Sequence, residues 1–398
     1  IVLATGATVS DMIEIVVYDV FSVADTVSKA DGGTFDASVT FAGDIIKSTA
    51  GTSNFAAGVN AGNSIASGGN YNVTVGDEAG TAITTGDNNV AVGYEALKTE
   101  DAHGENTAVG SGALKTLNAG TDSKSTAIGY RAGTAMTTGR FNVLAGKDAG
   151  LAITGGDYNT AVGIEALKTD TNGHTAVAIG TNALSAQNFT SETSNYNVGV
   201  GYLAGASITT GVQNTLLGSF AGDALTDADF NVAVGLNALT ADTQGSQSTA
   251  IGYQALATQN VGSATNMLNT AVGYNAGALV TTGTLNTLVG GGAGDALNTG
   301  EGNTALGRNA LGADTKGDLS VAIGYSALAN QNFSSNTDTY NTAVGFNAGG
   351  AVTTGTANTM VGSLAGQSMT TGGYNTFLGI NASAGATVTG NSNTILGD

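Results

Sequence analysis

The sequence contains no cysteine, no proline and no tryptophan, and it has few positive charges. Without cysteine the chain forms no disulfide, no thiolate metal site and no cysteine nucleophile. The lack of proline excludes a collagen-like triple helix, which also needs glycine at every third position. The net charge of −19, from 30 acidic and 11 basic residues, disfavours nucleic acid and anionic lipid as partners. No apolar run approaches the roughly 20 residues of a membrane-spanning helix.

What is present is glycine, at 62 of 398 residues, together with small apolar side chains. Charged residues make up 10% and hydrophobic residues 41%, which is unlike the composition of a disordered chain. So much glycine indicates a turn that is repeated many times. The sequence begins at Ile1 without a methionine, and we expect it to be a processed or excised part of something longer.

The motif Asn-x-x-x-Gly-x-x-Ala recurs along almost the whole chain. Glycine stands at its fifth position in all twenty copies, and alanine at its eighth in every complete copy. A unit this short buries its apolar side only against neighbouring units, so the sequence predicts a stack. Most copies are separated from the next by the same number of residues as Asn142 is from Asn159. The copies begin at Asn54, Asn72, Asn89, Asn106, Ser125, Asn142, Asn159, Ala176, Asn197, Asn214, Asn231, Ser248, Asn269, Asn286, Asn303, Ser320, Asn341, Asn358, Asn375 and Asn393.

The units group into super-repeats of four, and the fourth unit of the second, third and fourth super-repeats carries a four-residue insertion. The first super-repeat is less regular, and the last extends only a few residues into its fourth unit. Three units of the regular length and one extended by the insertion make up a regular super-repeat. The predicted divisions are an N-terminal β module or connector over 1–53 and a repetitive rod over 54–398. The super-repeats of the rod cover 54–124, 125–196, 197–268, 269–340 and 341–398.

The sequence of one unit predicts a short strand, a tight turn, a second strand and another turn, because β-branched residues alternate with Gly, Asn and Thr. Units stacked about 4.8 Å apart would give an all-β parallel β-roll, or β-solenoid, of about 20 coils and roughly 95 Å. We expect Val92, Val162, Val234 and Leu306 at the fourth position to fill the coil. Ala at the third position and Gly at the fifth would then form a flat outer face. Three chains could pack these faces against one another and form a homotrimer.

Equivalent residues of successive units should stand above one another, with each asparagine amide bonding to a neighbouring coil or to its own turn. The predicted structural ladder is represented by Asn89, Gly93, Ala96, Asn159, Gly163, Ala166, Asn231, Gly235, Ala238, Asn303, Gly307 and Ala310.

Two resemblances add to this interpretation. Repeats such as Asn106–Ala113 and Asn341–Ala348 resemble the heads of trimeric autotransporter adhesins, which implies a left-handed parallel β-roll in a tight trimer. Ser10–Val27, with Gly32–Phe35 and Val39–Phe41, is similar to the connector in tail fibres of marine bacteriophages, particularly cyanophages. The ending Gly390–Asp398 resembles the stretch that precedes an autocleaving chaperone domain in such fibres. Together the two ends favour a viral fibre.

Candidate contact residues lie in the insertions, because loops on a rigid scaffold often carry function. They could equally be spacers between chains. The candidates are Gln187, Asn188, Phe189, Gln259, Asn260, Val261, Gln331, Asn332 and Phe333.

Two columns of aromatic residues either cap the coil or stack on sugars. The column before the asparagine contains Tyr71, Phe141, Tyr158, Tyr196, Phe230, Tyr340 and Tyr374. The column after the glycine contains Tyr94, Tyr130, Tyr202, Tyr253, Tyr274, Tyr325 and Phe346.

Catalysis has little support in the sequence, and we expect no enzymatic activity, no cofactor and no metal site. The two histidines, His103 and His174, both lie in turns that close third units, where turn polarity explains them. The acidic column of Glu100, Asp170, Asp242 and Asp314 is interpreted as solvated turn residues.

The sequence therefore favours a trimeric virion tail fibre that attaches to a host-cell receptor, glycan or outer-membrane component and to other tail proteins. The alternative is the head of a bacterial surface adhesin. Ice or mineral binding through Thr-Thr pairs, as at Thr209–Thr210 and Thr281–Thr282, and a polysaccharide-acting enzyme are weaker hypotheses.

Overall fold

The structure of the protein is a computed structural model that describes residues 49–383, 385 and 388–397. Nearly all of the predicted N-terminal module over 1–53, including the connector-like segments Ser10–Val27, Gly32–Phe35 and Val39–Phe41, lies outside the described residues. In the described part of the chain no residue is helical, so no helix there is long and apolar enough to cross a bilayer.

Each copy of the motif forms one three-residue strand, and the twenty strands make one parallel sheet. Neighbouring coils pair in register, with Val90 opposite Thr107 and Val92 opposite Val109. The predicted β-solenoid of about 20 coils is confirmed. Its strands are β1 (Phe55–Ala57), β2 (Val73–Val75), β3 (Val90–Val92), β4 (Thr107–Val109), β5 (Thr126–Ile128), β6 (Val143–Ala145), β7 (Thr160–Val162), β9 (Val177–Ile179), β11 (Val198–Val200), β12 (Thr215–Leu217), β13 (Val232–Val234), β15 (Thr249–Ile251), β17 (Thr270–Val272), β18 (Thr287–Val289), β19 (Thr304–Leu306), β21 (Val321–Ile323), β23 (Thr342–Val344), β24 (Thr359–Val361), β25 (Thr376–Leu378) and β26 (Thr394–Leu396).

The second strand predicted for every coil is wrong for most of them. Within the described residues it appears as three parallel pairs of two-residue strands: β8 (Gly173–His174) with β10 (Thr193–Ser194), β14 (Gly245–Ser246) with β16 (Thr265–Asn266), and β20 (Gly317–Asp318) with β22 (Thr337–Asp338). Elsewhere the backbone enters the left-handed region, as at Glu95 (φ 56°) and Leu97 (φ 49°). Such residues interrupt an extended segment, and single bonds such as Leu97 N–H to Ala113 O (2.9 Å) join the coils there.

The two faces of the strand are the reverse of those predicted. Third-position Ala161 and Ala305 are fully buried, whereas fourth-position Val162 and Leu306 are 37% and 46% exposed. The reason is that the first-position asparagine must point inward to make its hydrogen bonds. Because side chains alternate along a strand, the third position then also points inward, and the second and fourth point outward.

The interior of the coil is filled by the third, eighth, ninth and twelfth positions of the motif, with sizes that complement one another. Where the ninth position is Leu, as at Leu184, the third is Ala. Where the ninth position is Gly, large side chains of the same coil or of an adjacent coil occupy the space. A Cβ on Gly205 would lie 2.6 Å from Leu216 Cδ1 and 2.8 Å from Leu184 Cδ2. This interlocking of neighbouring coils gives the density that protein interiors require.

An asparagine ladder runs along the coils, and most of its amides bond both to a neighbouring coil and to their own turn; the Asn106 Nδ2 has no hydrogen-bond partner. Asn231 accepts the Ser248 N–H of the next coil through Oδ1 (2.9 Å) and donates from Nδ2 to the Gly245 carbonyl of its own coil (2.9 Å). One side chain thus closes a coil and joins it to the next. At Ala176, which lacks the amide, Asn195 accepts the Asn197 N–H instead (3.0 Å).

Candidate functional site

The outward face of the parallel sheet is open to solvent, and its fourth-position side chains form an apolar row beside second-position residues that are mostly threonine. Parallel sheets are normally covered on both faces, so this uncovered face is a candidate contact surface. We call the exposed fourth-position side chains, with the two aromatic columns beside the strand, the apolar stripe. The fourth-position members at least 37% exposed are Ile128, Val162, Ile179, Leu217, Ile251, Leu306, Leu378 and Leu396.

Both aromatic columns lie on the surface, because each of their rings is between 38% and 69% exposed. Several stack along the coil axis: the Phe141 and Tyr158 centroids are 5.0 Å apart with planes at 7°, and those of Tyr253 and Tyr274 are 5.2 Å apart. Rings in these positions cover little of the interior. The exposure favours a contact surface over the capping of the coil.

The insertions contribute less surface than predicted. Gln187, Gln259 and Gln331 are fully buried, and Phe189 and Phe333 are only 7% and 6% exposed. These five side chains face the interior of the insertion coils and are not available to a receptor. Among the other candidate contact residues, Asn188 and Val261 are half-buried, and Asn260 and Asn332 are exposed.

The acidic column is buried, so its interpretation as solvated turn residues is wrong. Asp170 Oδ2 accepts a hydrogen bond from Gln187 Nε2 (2.6 Å), and Gln187 Oε1 accepts one from Asn197 Nδ2 (2.9 Å). The chain of bonds crosses three consecutive coils, and we call it the polar relay. It recurs as Asp242–Gln259–Asn269 and Asp314–Gln331–Asn341.

The sequence held a signal for this relay. The twelfth position is apolar in most units and is fully buried there, as at Ile208 and Leu225. An acid in that column, followed by glutamine at the same position of the next unit, marks a buried pair rather than a turn. The glutamine supplies the donor that a buried carboxylate needs, because an unpartnered buried charge is costly.

The buried acids predict an unusual pH dependence. Burial raises the pKa of Asp242, while Gln259 and backbone N–H donors partly oppose the shift. A raised folded-state pKa means that the folded chain binds the proton more tightly than the unfolded chain, so this group adds stability as the pH falls through the raised pKa. As the pH is lowered from 7 to about 4, the ordinary pKa of an aspartate, we expect the thermal midpoint of the wild type to rise relative to that of Asp242→Asn.

Circular dichroism melts of both proteins at each pH would measure this difference. The exposed Asp227→Asn is the matched control and should run parallel to the wild type. A constant gap between wild type and Asp242→Asn across the range would contradict the prediction.

The two histidines differ in their surroundings. His174 Nδ1 accepts the Asp157 N–H (2.9 Å), and its ring borders an open surface cleft lined also by Tyr158, Glu192 and Ser194. His103 Nδ1 lies 3.3 Å from Glu100 Oε1. His174 is thus explained by a backbone hydrogen bond, whereas His103 belongs to a cluster of acids.

The Thr-Thr pairs do not present two equivalent columns of hydroxyls. The first threonine donates to a carbonyl of the next coil, as Thr209 does to Thr226 O (3.2 Å) and Thr353 to Thr370 O (3.1 Å). Thr210 and Thr354, the second members, are exposed. Half of the hydroxyls are therefore used within the coil, which weakens the hypothesis of ice or mineral binding.

A scan against models of protein families found no match to this chain. A search of curated proteins likewise found no match.

Proposed function

We propose that the protein is a non-enzymatic subunit of a trimeric virion fibre, located outside the cell, that attaches the virion to its host. The observation that carries the fibre proposal is the apolar stripe, which follows the parallel sheet along the described coils. Host attachment and the link to other tail proteins rest on the resemblance of the two ends of the chain to tail fibres. A host receptor, glycan or outer-membrane component is the proposed target.

The repeat itself argues that copies of this chain cover the stripe. An occupant must offer apolar groups at the spacing of the coils, about 4.8 Å, along the whole sheet. A second and a third copy have that spacing, and a left-handed winding like that implied by the resemblance would let the three stripes meet on one axis. Burying aromatic and aliphatic side chains there contributes roughly 25 cal/mol per Å².

Light scattering of the purified chain should return three times 38.8 kDa. Leu217→Asp with Ile251→Asp places charges on the stripe, at side chains 47% and 37% exposed, and should reduce the mass to that of a single chain. Thr210→Asp, on an exposed residue away from the stripe, is the control and should stay trimeric. A wild type with the mass of one chain would end the trimer proposal.

Location distinguishes the two biological roles. Gold-labelled antibody against the purified chain, applied to an infected culture of the host bacterium, should decorate virion tails in electron micrographs. Label on the envelope of uninfected cells would select the alternative, a bacterial surface adhesin head, and would overturn the virion proposal.

A further inference from the structure

The first super-repeat departs from the polar relay at several equivalent positions together. Glu100 replaces the relay aspartate, Leu117 replaces the relay glutamine, and His103 stands where Gly173 follows Asp170. Asp101 stands where the other third units have a threonine such as Thr171. The relay is absent from this coil, and a carboxylate–imidazole cluster takes its place.

Each of these changes has a steric or electrostatic consequence. A Cβ on Gly173 would collide with the Asp170 carboxylate, so a histidine at that place excludes the relay arrangement. Leu117, fully buried, offers no hydrogen bond to Glu100. The carboxylate of Glu100 is therefore buried without the side-chain donor that Asp170, Asp242 and Asp314 each have.

Two polar atoms of the cluster are buried and have no hydrogen-bond partner: Glu100 Oε2 and His103 Nδ1. Glu100 Oε1 accepts the His103 backbone N–H (3.3 Å), and Asp101 Oδ1 accepts that of Ala102 (2.6 Å). The second oxygen of the fully buried Glu100 thus remains unsatisfied, which costs stability unless a cation compensates it.

The geometry points to a mononuclear site for a divalent transition-metal ion such as Zn²⁺, held by Glu100, Asp101 and His103. One ligand atom from each residue lies within 4.8 Å of the others. His103 Nδ1 is 3.3 Å from Glu100 Oε1 and 4.0 Å from Asp101 Oδ1. A tetrahedral zinc ion with bonds of about 2.0–2.1 Å places its ligands about 3.3 Å apart, which is the distance between His103 Nδ1 and Glu100 Oε1.

The donor set selects the class of ion. An imidazole nitrogen with two carboxylates suits zinc and its first-row neighbours, whereas Ca²⁺ and Mg²⁺ prefer oxygen alone. Three protein ligands leave a coordination position for water. The Asp101 and His103 side chains are 49% and 26% exposed, so an ion can enter from solvent. The site would fasten the turn of one coil in the first super-repeat, independently of any host contact.

Isothermal titration of the full-length chain with Zn²⁺, after dialysis against a chelator, tests the site. We expect one ion per chain, a raised thermal midpoint, and the absorption bands of tetrahedral coordination when Co²⁺ is substituted. His103→Gly should weaken binding by at least about tenfold and abolish those bands. Because glycine occupies this place in the other super-repeats, that variant is expected to fold.

Leu117→Gln provides a second, independent variant, since it restores the glutamine that would bond to the Glu100 carboxylate and compete with the ion. It should also weaken binding. His174→Ala is the control and should bind Zn²⁺ as the wild type does. Stoichiometry and affinity unchanged in His103→Gly, or no uptake by the wild type at millimolar Zn²⁺, would overturn the proposal and leave a Glu100–His103 ion pair.

Discussion

Gly235→Ala is expected to lower the free energy of unfolding by about 2–6 kcal/mol. The estimate combines the cost of a strained backbone with that of overpacking, each of order 1–3 kcal/mol. Gly235 has a φ of 133°, and an added Cβ would lie 2.5 Å from the Gly252 carbonyl oxygen of the next coil. That oxygen belongs to the backbone, so no side chain can move aside to make room.

Gly262→Ala is the matched control for this substitution. Gly262 also has a positive φ, 63°, but no atom lies within 4 Å of the added Cβ. Only the cost of the strained backbone, about 1–2 kcal/mol, should then be subtracted from the free energy of unfolding. Thermal melts compare the two variants, and limited proteolysis locates the opening, which should begin near coil 235–252 because repeats unfold locally. An equal decrease in the free energy of unfolding in the two variants would show that the close contact between coils at the fifth position contributes nothing to stability.

Asn231→Ala is expected to lower the free energy of unfolding by about 2–6 kcal/mol, an effect of the same order as that of Gly235→Ala. It removes the acceptor of the Ser248 N–H and the donor to the Gly245 carbonyl, and each unsatisfied buried group costs about 1–3 kcal/mol. Hydrogen exchange at the Ser248 amide should accelerate together with the fall in the thermal midpoint. The inward strand residues Leu216 and Ala250 of the neighbouring coils remain packed, so the loss measures the ladder itself.

A graded series makes this prediction sharper. Asn231→Ser should recover part of the stability, because Ser125 at the same motif position accepts the Asn142 N–H through Oγ (3.2 Å). Asn266→Ala removes an exposed asparagine outside the ladder and should change stability little. An Asn231→Ala protein as stable as Asn266→Ala would mean that the ladder only positions the coils.

The recurrence of Asn, Gly and Ala was enough to predict the stack, the number of coils and the ladder. A fixed period needs no long-range information, because each unit meets only its neighbours. Glycine at the fifth position could be predicted to have a positive φ or a close backbone contact; Gly235 has both.

The orientation of the strand was not predictable from side-chain size. Val162 is larger than Ala161 and was placed inside on that ground, but the buried amide of Asn159 determines the face that points inward. The space that valine would have filled is occupied by a residue outside the strand, Leu167. Sequence reasoning treated the strand in isolation and therefore assigned its faces wrongly.

The insertions show the same limit. Gln187 and Asp170 occupy the same position of consecutive units, yet they were assigned to different surfaces, a receptor loop and a solvated turn. Stacking places one directly over the other, and both are buried. Polarity alone suggested exposure, whereas a polar group can be buried when a neighbouring coil supplies its partner.

The amino-acid sequence by itself determined a parallel stack of about 20 short coils, since the period of the repeat and the recurrence of Asn and Gly are local properties. Tertiary structure alone decided which side chains face inward, because burial depends on the coil above and below as well as on the residue itself. It also left an apolar row exposed on the outer face of the sheet, and it brought Glu100, Asp101 and His103 together without the glutamine that satisfies the other buried acids.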